Sequence, residues 1–484
     1  MTPAPIVAAF REALVTMLAA LATMACALAI DPEPGPAVLA VVLCVALSRS
    51  QLDRDARGRL EAALVLPAVS VAALGVGLLL RHAPWLGAAL FVAGVSVPIA
   101  LRGSGPALRR AGALVALPFV VILVTPRMPA MHANRTLALL MPILVALLAL
   151  VWVTLAHAIA RRIGWLPRAP RDSWTPDVTA GAPAAGSLRP SANTRMAIQM
   201  AVALAAAFAV GYLVFRERWA WIVLTAYIVG SANQGRLDVL YKSVQRVLGA
   251  AAGTGFALVF SAHATAQGAG SAVAMLAAVF LGVWLRPLEY AWWALFVTVA
   301  LALLQGFEGT SAGVLLGLRL EEIAIGALIG VAAAWLVLPV RSTGVLRRRI
   351  ADALAALADF ADPEQPDRSP AAFAHAVART EKVAPAFRAV RSVTRRYRAL
   401  QPADWIDALA ACRAPALALI GRGAIPAPVR KALGAARKAM REPAAIGPAL
   451  EDLRSVLAQA VAAAPAPARD VEPQDHHAAV MPGT

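Results

Sequence analysis

Apolar stretches close to the ~20 residues needed to cross a bilayer core follow one another along most of the chain, separated by short runs rich in Arg, Pro and Gly. The pattern predicts spanning helices at 13–30, 36–48, 60–80, 85–101, 109–125 and 136–160. A Pro/Ser/Gly/Arg-rich linker occupies 166–195, and further spans are predicted at 197–215, 219–232, 247–262, 270–285, 291–305 and 320–340. Beyond 340 the apolar runs cease, and 341–463 reads as a helical domain of four or five Ala-rich helices broken at Pro363, Pro370, Pro402, Pro426 and Pro443. The Ala/Pro-rich stretch 464–484 reads as a disordered tail. The expected fold is therefore all-α: a polytopic membrane protein of two parallel repeats, 1–165 and 196–340, followed by a cytoplasmic helical domain.

Sliding one half onto the other at an offset of about 185 residues aligns Leu52-Asp53 with Leu237-Asp238, Leu101-Arg102 with Leu285-Arg286, Arg135 with Arg319 and Trp152 with Trp335. A pseudo-twofold along the membrane normal fits this match. In both halves the second span is short, 36–48 and 219–232, about 20 Å if helical. Paired short spans point to a transport site, because a helix can end at mid-membrane depth only where protein or a water-filled cavity satisfies its backbone. The other reading is that polar flanks extend these helices past the core.

Composition agrees with lipid as the main solvent: 60% of residues are hydrophobic and 15% charged, against ~25% charged in soluble domains. A soluble enzyme is excluded. The net charge of +17 is spread over loop clusters rather than one patch, so nucleic acid is not an expected partner. Arg49, Arg54, Arg57, Arg59, Arg102, Arg109, Arg110, the linker, Arg236, Lys242, Arg246, Arg286 and Arg341 fall on one side, with fewer cations on the other. The positive-inside rule then places both termini in the cytoplasm. Ala25-Cys26-Ala27 after Arg11 is formally a small-x-small cleavage pattern, but the run is long enough to span, so an uncleaved helix is expected. Cys26, Cys44 and Cys412 have no paired spacing, and Asp475-His476-His477 stands alone; neither a disulfide framework, a metal site nor a cofactor is expected.

Gly249-x-x-x-Gly253, Gly313-x-x-x-Gly317 and Gly326-x-x-x-Gly330 lack the Lys and Ser/Thr of a phosphate loop and read as small-residue helix packing. His157 and His263 lie near span ends, where an interfacial role is expected. Arg388, Arg391, Arg395 and Arg398 recur on one helical face opposite Val383, Phe387, Val390 and Tyr397; this is a solvated stripe or a surface for anionic headgroups.

The stretch from Arg195 to Phe256 is the most informative. It combines Arg195-x-x-x-Gln199, Trp219-Ala-Trp221-x-x-x-Thr225-x-Tyr227, Asn233-Gln234-Gly235 and Arg246-x-x-Gly249-x-x-x-Gly253. Here the sequence resembles the fusaric acid resistance protein-like (FUSC) family and the related aromatic acid exporters, in motif over about sixty residues and in architecture over most of the chain. The first half departs from that pattern, with Val38-Leu39-Ala40 where the Trp-containing stretch would lie. The resemblance implies export of aromatic carboxylic acids or related toxic compounds across a bacterial inner membrane. Candidate partners are a small organic anion, the lipid bilayer, a periplasmic adaptor protein and a second copy in a homodimer.

The residues give a compatible account. An aromatic weak acid needs a flat apolar slot and a cation. Gln199, Trp219, Trp221, Thr225, Tyr227, Asn233, Gln234 and Arg246 are the candidate substrate-binding set. Tryptophans at span ends also serve as interfacial anchors. For coupling, Arg319, Glu321 and Glu322 stand at the expected start of the last span, where a carboxylate can carry a proton. No acidic residue falls deep within a predicted span, which keeps a passive organic-anion channel as a rival, similar in layout to the plant aluminium-activated malate transporters. A membrane scaffold or envelope-stress protein without substrate is the third reading.

Overall fold

The computed structural model describes residues 3–32, 34–49, 56–103, 135–166, 190–231, 234–263, 269–307, 312–362, 370–397, 401–420 and 425–463, with isolated positions between 112 and 123. The predicted span 109–125, the linker and the tail thus lie largely or wholly outside the described residues. Among the described residues the regular structure is helical, with no strand. The chain divides into two compact units, Met1–Val340 and Arg341–Thr484.

The first unit contains α1 (Pro3–Ile30), α2 (Pro34–Arg49), α3 (Ala56–His82), α4 (Pro84–Ala100), α5 (Arg135–Arg162), α6 (Ala192–Val210), α7 (Trp219–Gly230), α8 (Arg236–His263), α9 (Ala269–Leu285), α10 (Tyr290–Phe307) and α11 (Ala312–Leu336). Four stretches are long and apolar enough to cross a membrane among the described residues: Ile6–Ile30, Ala63–His82, Leu140–Arg162 and Ala192–Phe215. Leu64, Val71, Val273 and Leu328 are exposed along the outward faces, as side chains that meet lipid rather than water should be. The protein is an all-α polytopic membrane protein.

Packing repeats between the halves. In the first, α1 packs on α2 and α5, α2 on α5, and α3 on α5; in the second, α6 packs on α7 and α11, α7 on α11, and α8 on α11. The halves meet at two reciprocal joints, α4 against α6 and α1 against α9. Each joint is aromatic. Phe91 meets Phe208 at 5.4 Å, and Phe208 meets Trp219 at 5.3 Å; at the other joint Phe10 meets Phe280 at 5.6 Å and Trp284 at 5.1 Å. Aromatic pairs at such distances add about 0.5–1.5 kcal/mol each beyond their burial.

Two glycine pairs bring helices close. A Cβ at Gly249 would stand 2.5 Å from the Ala291 carbonyl oxygen, and one at Gly253 2.5 Å from that of Leu295, so α8 lies directly on the α10 backbone. Gly326 places α11 on α7 in the same way, 2.5 Å from the Ile222 carbonyl oxygen, with Gly330 against Val229. Gly317 has no neighbour within 4 Å among the described residues, so it does not make the close helix contact that the sequence predicted for it.

The second unit contains α12 (Ser342–Ala361), α13 (Pro370–Glu381), α14 (Ala384–Thr394), α15 (Pro402–Ile420), α16 (Ala427–Ala439) and α17 (Pro443–Ala463), six described helices where four or five were expected. Pro370, Pro402 and Pro443 open helices rather than merely separating them, because a first-turn proline costs no intrahelical hydrogen bond. Leu346, Ile350, Phe373, Ile406, Leu450 and Leu453 are fully buried. Arg388 and Arg391 are not simply solvated: Arg388 pairs with Asp407 at 2.6 Å, and Arg391 with Asp404 and Asp407 at 2.7 Å. Burial raises the Asp407 carboxyl, but the two guanidiniums outweigh it and hold the group below its ordinary value. On the apolar face Phe387 is buried, while Tyr397 is 85% exposed.

Candidate functional site

Hydropathy places charged residues at span ends, but Arg, Lys, Gln and Glu are good helix formers and the helices continue through them. Arg246, expected at a flank, lies well inside α8, and Arg319 and Glu322 lie inside α11 rather than at its start.

Arg246 is 2% exposed and is the largest fully buried side chain among the described residues. At about 3.6 residues per turn it falls between the Gly249/Gly253 edge, which faces α10, and the Val239/Val247 edge, which packs with Ala327, Val331 and Ala334 of α11. Its Nε makes no hydrogen bond, and no carboxylate pairs with it among the described residues. A buried guanidinium without a counter-charge is costly, several kcal/mol even after relaxation; an anion that enters beside it removes that cost.

At the interface of α7 and α11 a second cluster assembles. Arg218 pairs with Glu322 at 3.3 Å, with the Glu322 side chain 2% exposed. Arg319, 5% exposed, lies with its Cζ 4.1 Å from the centroid of the Trp221 ring. Glu321 is exposed beside this buried group. Trp221, expected in the substrate-binding set, thus lies together with Arg319 and Glu322 of the coupling set, two groups that the sequence reading kept apart. Arg218 completes the cluster; its partner lies far along the chain, and no local pattern signals it.

The other candidates are dispersed. The Gln199 amide donates to the carbonyls of Val337 at 2.9 Å and Leu338 at 3.2 Å, and Arg195 donates to Leu338 and Pro339. Leu338 has φ of 47°, the left-handed turn that ends α11, and these two side chains satisfy the carbonyls left over there. Trp219 is buried in the aromatic joint rather than open to a ligand. Gly211 permits the close return of the chain onto it, since a Cβ there would stand 2.6 Å from the Trp219 Cβ. Thr225 is fully buried, its hydroxyl without a hydrogen-bond partner. Tyr227 lies within electrostatic reach of Arg102. The Gln234 backbone N–H donates to Asp238 at 3.1 Å, and Asn233 lies outside the described residues.

His157 was expected at the interface but is buried. Its Nδ1 donates to the Val153 carbonyl at 2.9 Å, and its Nε2 is 3.1 Å from the Ser48 hydroxyl, itself 2.6 Å from that of Thr16. The three residues come from α5, α2 and α1, so only the fold assembles this chain. Among the described residues no group of three or more His, Cys, Asp or Glu could hold a metal ion.

The first unit is thus a multi-pass helical bundle that buries the cations Arg246 and Arg319 and the carboxylate of Glu322. Residues 200–333, spanning α6 to α11, match the family model described as fusaric acid resistance protein-like. Over this segment the chain is similar to the fusaric acid resistance protein-like family, whose description is that of membrane transport and resistance proteins. No curated protein and no solved structure matches the chain.

Proposed function

We propose that the protein exports small organic anions, aromatic carboxylates foremost, across a bacterial inner membrane, with both termini in the cytoplasm. The observation that carries this reading is Arg246: a cation inside the family-matched segment, buried to 2% exposure. A dehydrated guanidinium binds a carboxylate by two parallel hydrogen bonds, and a carboxylate is the charge it lacks. The Arg218–Glu322 pair beside Arg319 supplies a carboxylate buried within a helix of the bundle, which favours proton-coupled export over a passive channel.

The test is flux of benzoate from proteoliposomes at pH 8, where the ionised acid leaks slowly, against protein-free vesicles. Wild type should carry benzoate, Arg246→Ala should not, and Arg246→Lys should carry it in part because a point charge replaces a planar fork. An imposed pH gradient should accelerate wild-type flux, and Glu322→Gln should remove that acceleration. Flux that ignores the gradient in wild type points to the channel; no benzoate flux at all in well-folded protein leaves the scaffold reading.

A further inference from the structure

The joint of α1 and α9 holds a cavity of about 340 Å³. Its polar lining is Glu12 and Thr16 of α1, Ser48 of α2 and Arg286 at the end of α9, with Val45 and Trp293 as apolar walls. None of these belongs to the set that the motif region singles out. The volume is at the small end of the ~300–1,000 Å³ range of ligand pockets, a match for a single-ring molecule.

Each wall has a chemical use. The Arg286 guanidinium lies over the Trp293 ring at 5.3 Å, and a stacked guanidinium keeps its N–H edge free for a carboxylate. Trp293 and Val45 offer apolar surface to a ring. Thr16 and Ser48 are held in place by the buried chain to His157 and present fixed oxygens to the cavity. Glu12 is exposed on the wall and repels an anion, which orients a carboxylate toward Arg286.

The architecture supports the position independently. Leu101-Arg102 aligns with Leu285-Arg286 between the halves. Arg102 lies within electrostatic reach of Tyr227 on α7, just as Arg286 shares its cavity with Ser48 on α2. At each joint, then, an arginine that follows the fourth helix of one half meets the second, short helix of the other. The paired short helices and the paired arginines coincide.

We propose that this cavity is a binding site for a small aromatic carboxylate, with Arg286 holding the carboxylate and Trp293 the ring. It deepens the export reading by giving the substrate a docking place between the halves, separate from Arg246.

The test is thiol labelling of the purified full chain, with Cys26, Cys44 and Cys412 replaced and Ser48→Cys introduced, using a neutral maleimide. Benzoate should slow labelling at least fivefold, whereas benzyl alcohol, which has the ring without the charge, should not. Arg286→Gln should abolish the protection, Arg286→Lys should keep part of it, and Glu12→Gln should lower the benzoate concentration needed. Absence of protection, protection by benzyl alcohol equal to that by benzoate, or full protection in monodisperse Arg286→Gln protein overturns the site. Benzoate flux in the same preparations separates the two readings. Flux without protection removes the cavity site and leaves export, and protection without flux leaves the site and removes export.

Discussion

Replacing Arg246 by methionine should make the protein more stable and less active. The guanidinium is buried between α8, α10 and α11 with its Nε unbonded. Substituting a buried charge by an apolar side chain of similar length is commonly stabilising by about 1–4 kcal/mol. For a bundle of this size that corresponds to a rise on the order of 2–8 °C in apparent Tm. Binding should move the opposite way. Truncating one partner of a buried, hydrogen-bonded charge pair costs about 2–5 kcal/mol, which at 1.4 kcal/mol per decade is roughly 30- to several-thousand-fold in Kd. The assay is a thermal-unfolding series in detergent, with and without benzoate. Anion at about 100 times Kd adds about 2.7 kcal/mol of stability per site, so wild type should shift upward and Arg246→Met should start higher and shift less, while Arg246→Met combined with Arg286→Gln should not respond. A destabilised Arg246→Met protein whose benzoate shift is as large as that of wild type would refute the reasoning and make Arg246 a packing residue.

Gly326→Val should splay α7 from α11, because a Cβ there already stands 2.5 Å from the Ile222 carbonyl oxygen; overpacking of this kind costs about 1–3 kcal/mol, and monodispersity by size-exclusion should fall, while Gly317→Ala, in open space, should be silent. Arg218→Gln should leave the Glu322 carboxylate without its 3.3 Å partner and shift the pH at which benzoate flux is half-maximal, more than Glu321→Gln does. In the second unit, Asp407 has a folded-state pKa held below its ordinary value, so its stabilising effect is present above the unfolded value of about 4 and is lost as pH falls through the folded one. Asp407→Asn should therefore narrow the gap between stability at pH 7 and at pH 3 in thermal scans.

The fold class was legible because hydropathy is a local property that a bilayer enforces at every residue. The glycine pairs Gly249/Gly253 and Gly326/Gly330 were legible for a related reason, since only a missing Cβ lets two backbones approach so closely. Depth was harder to read. A hydropathy profile puts every charge at the water, so Arg246, Arg319 and Glu322 were placed at span edges although they sit within helices. What buries them is pairing across the bundle, and neither Arg218 with Glu322 nor Ser48 with His157 is close in sequence. Gln199 and Trp219 stood in the right motif for a different reason: the first satisfies the carbonyls that end α11, and the second packs at the joint between the halves. A motif marks where a family constrains its sequence, and helix ends and joints are constrained as strongly as ligand sites.

The two halves share their packing pairs but not their chemistry. Matching Arg135 with Arg319 in the sequence puts Ala138 opposite Glu322, so no carboxylate stands at the equivalent position of the first half. The first half buries other polar groups, among them Asp31 and the hydroxyl–imidazole chain of Thr16, Ser48 and His157. The arginines, by contrast, are paired, Arg102 with Arg286 at the reciprocal joints. A symmetric protein that binds anions needs its cations in both halves, because each joint offers a route, but a single ionisable carboxylate suffices to move one proton per cycle. Duplicating the carboxylate would place a second negative charge along the route of an anion, and at low dielectric that repulsion would weaken the attraction that the arginines provide. The sequence divergence between the halves fits the proton-coupled export proposed above, in which one half supplies the carboxylate and both supply the cations.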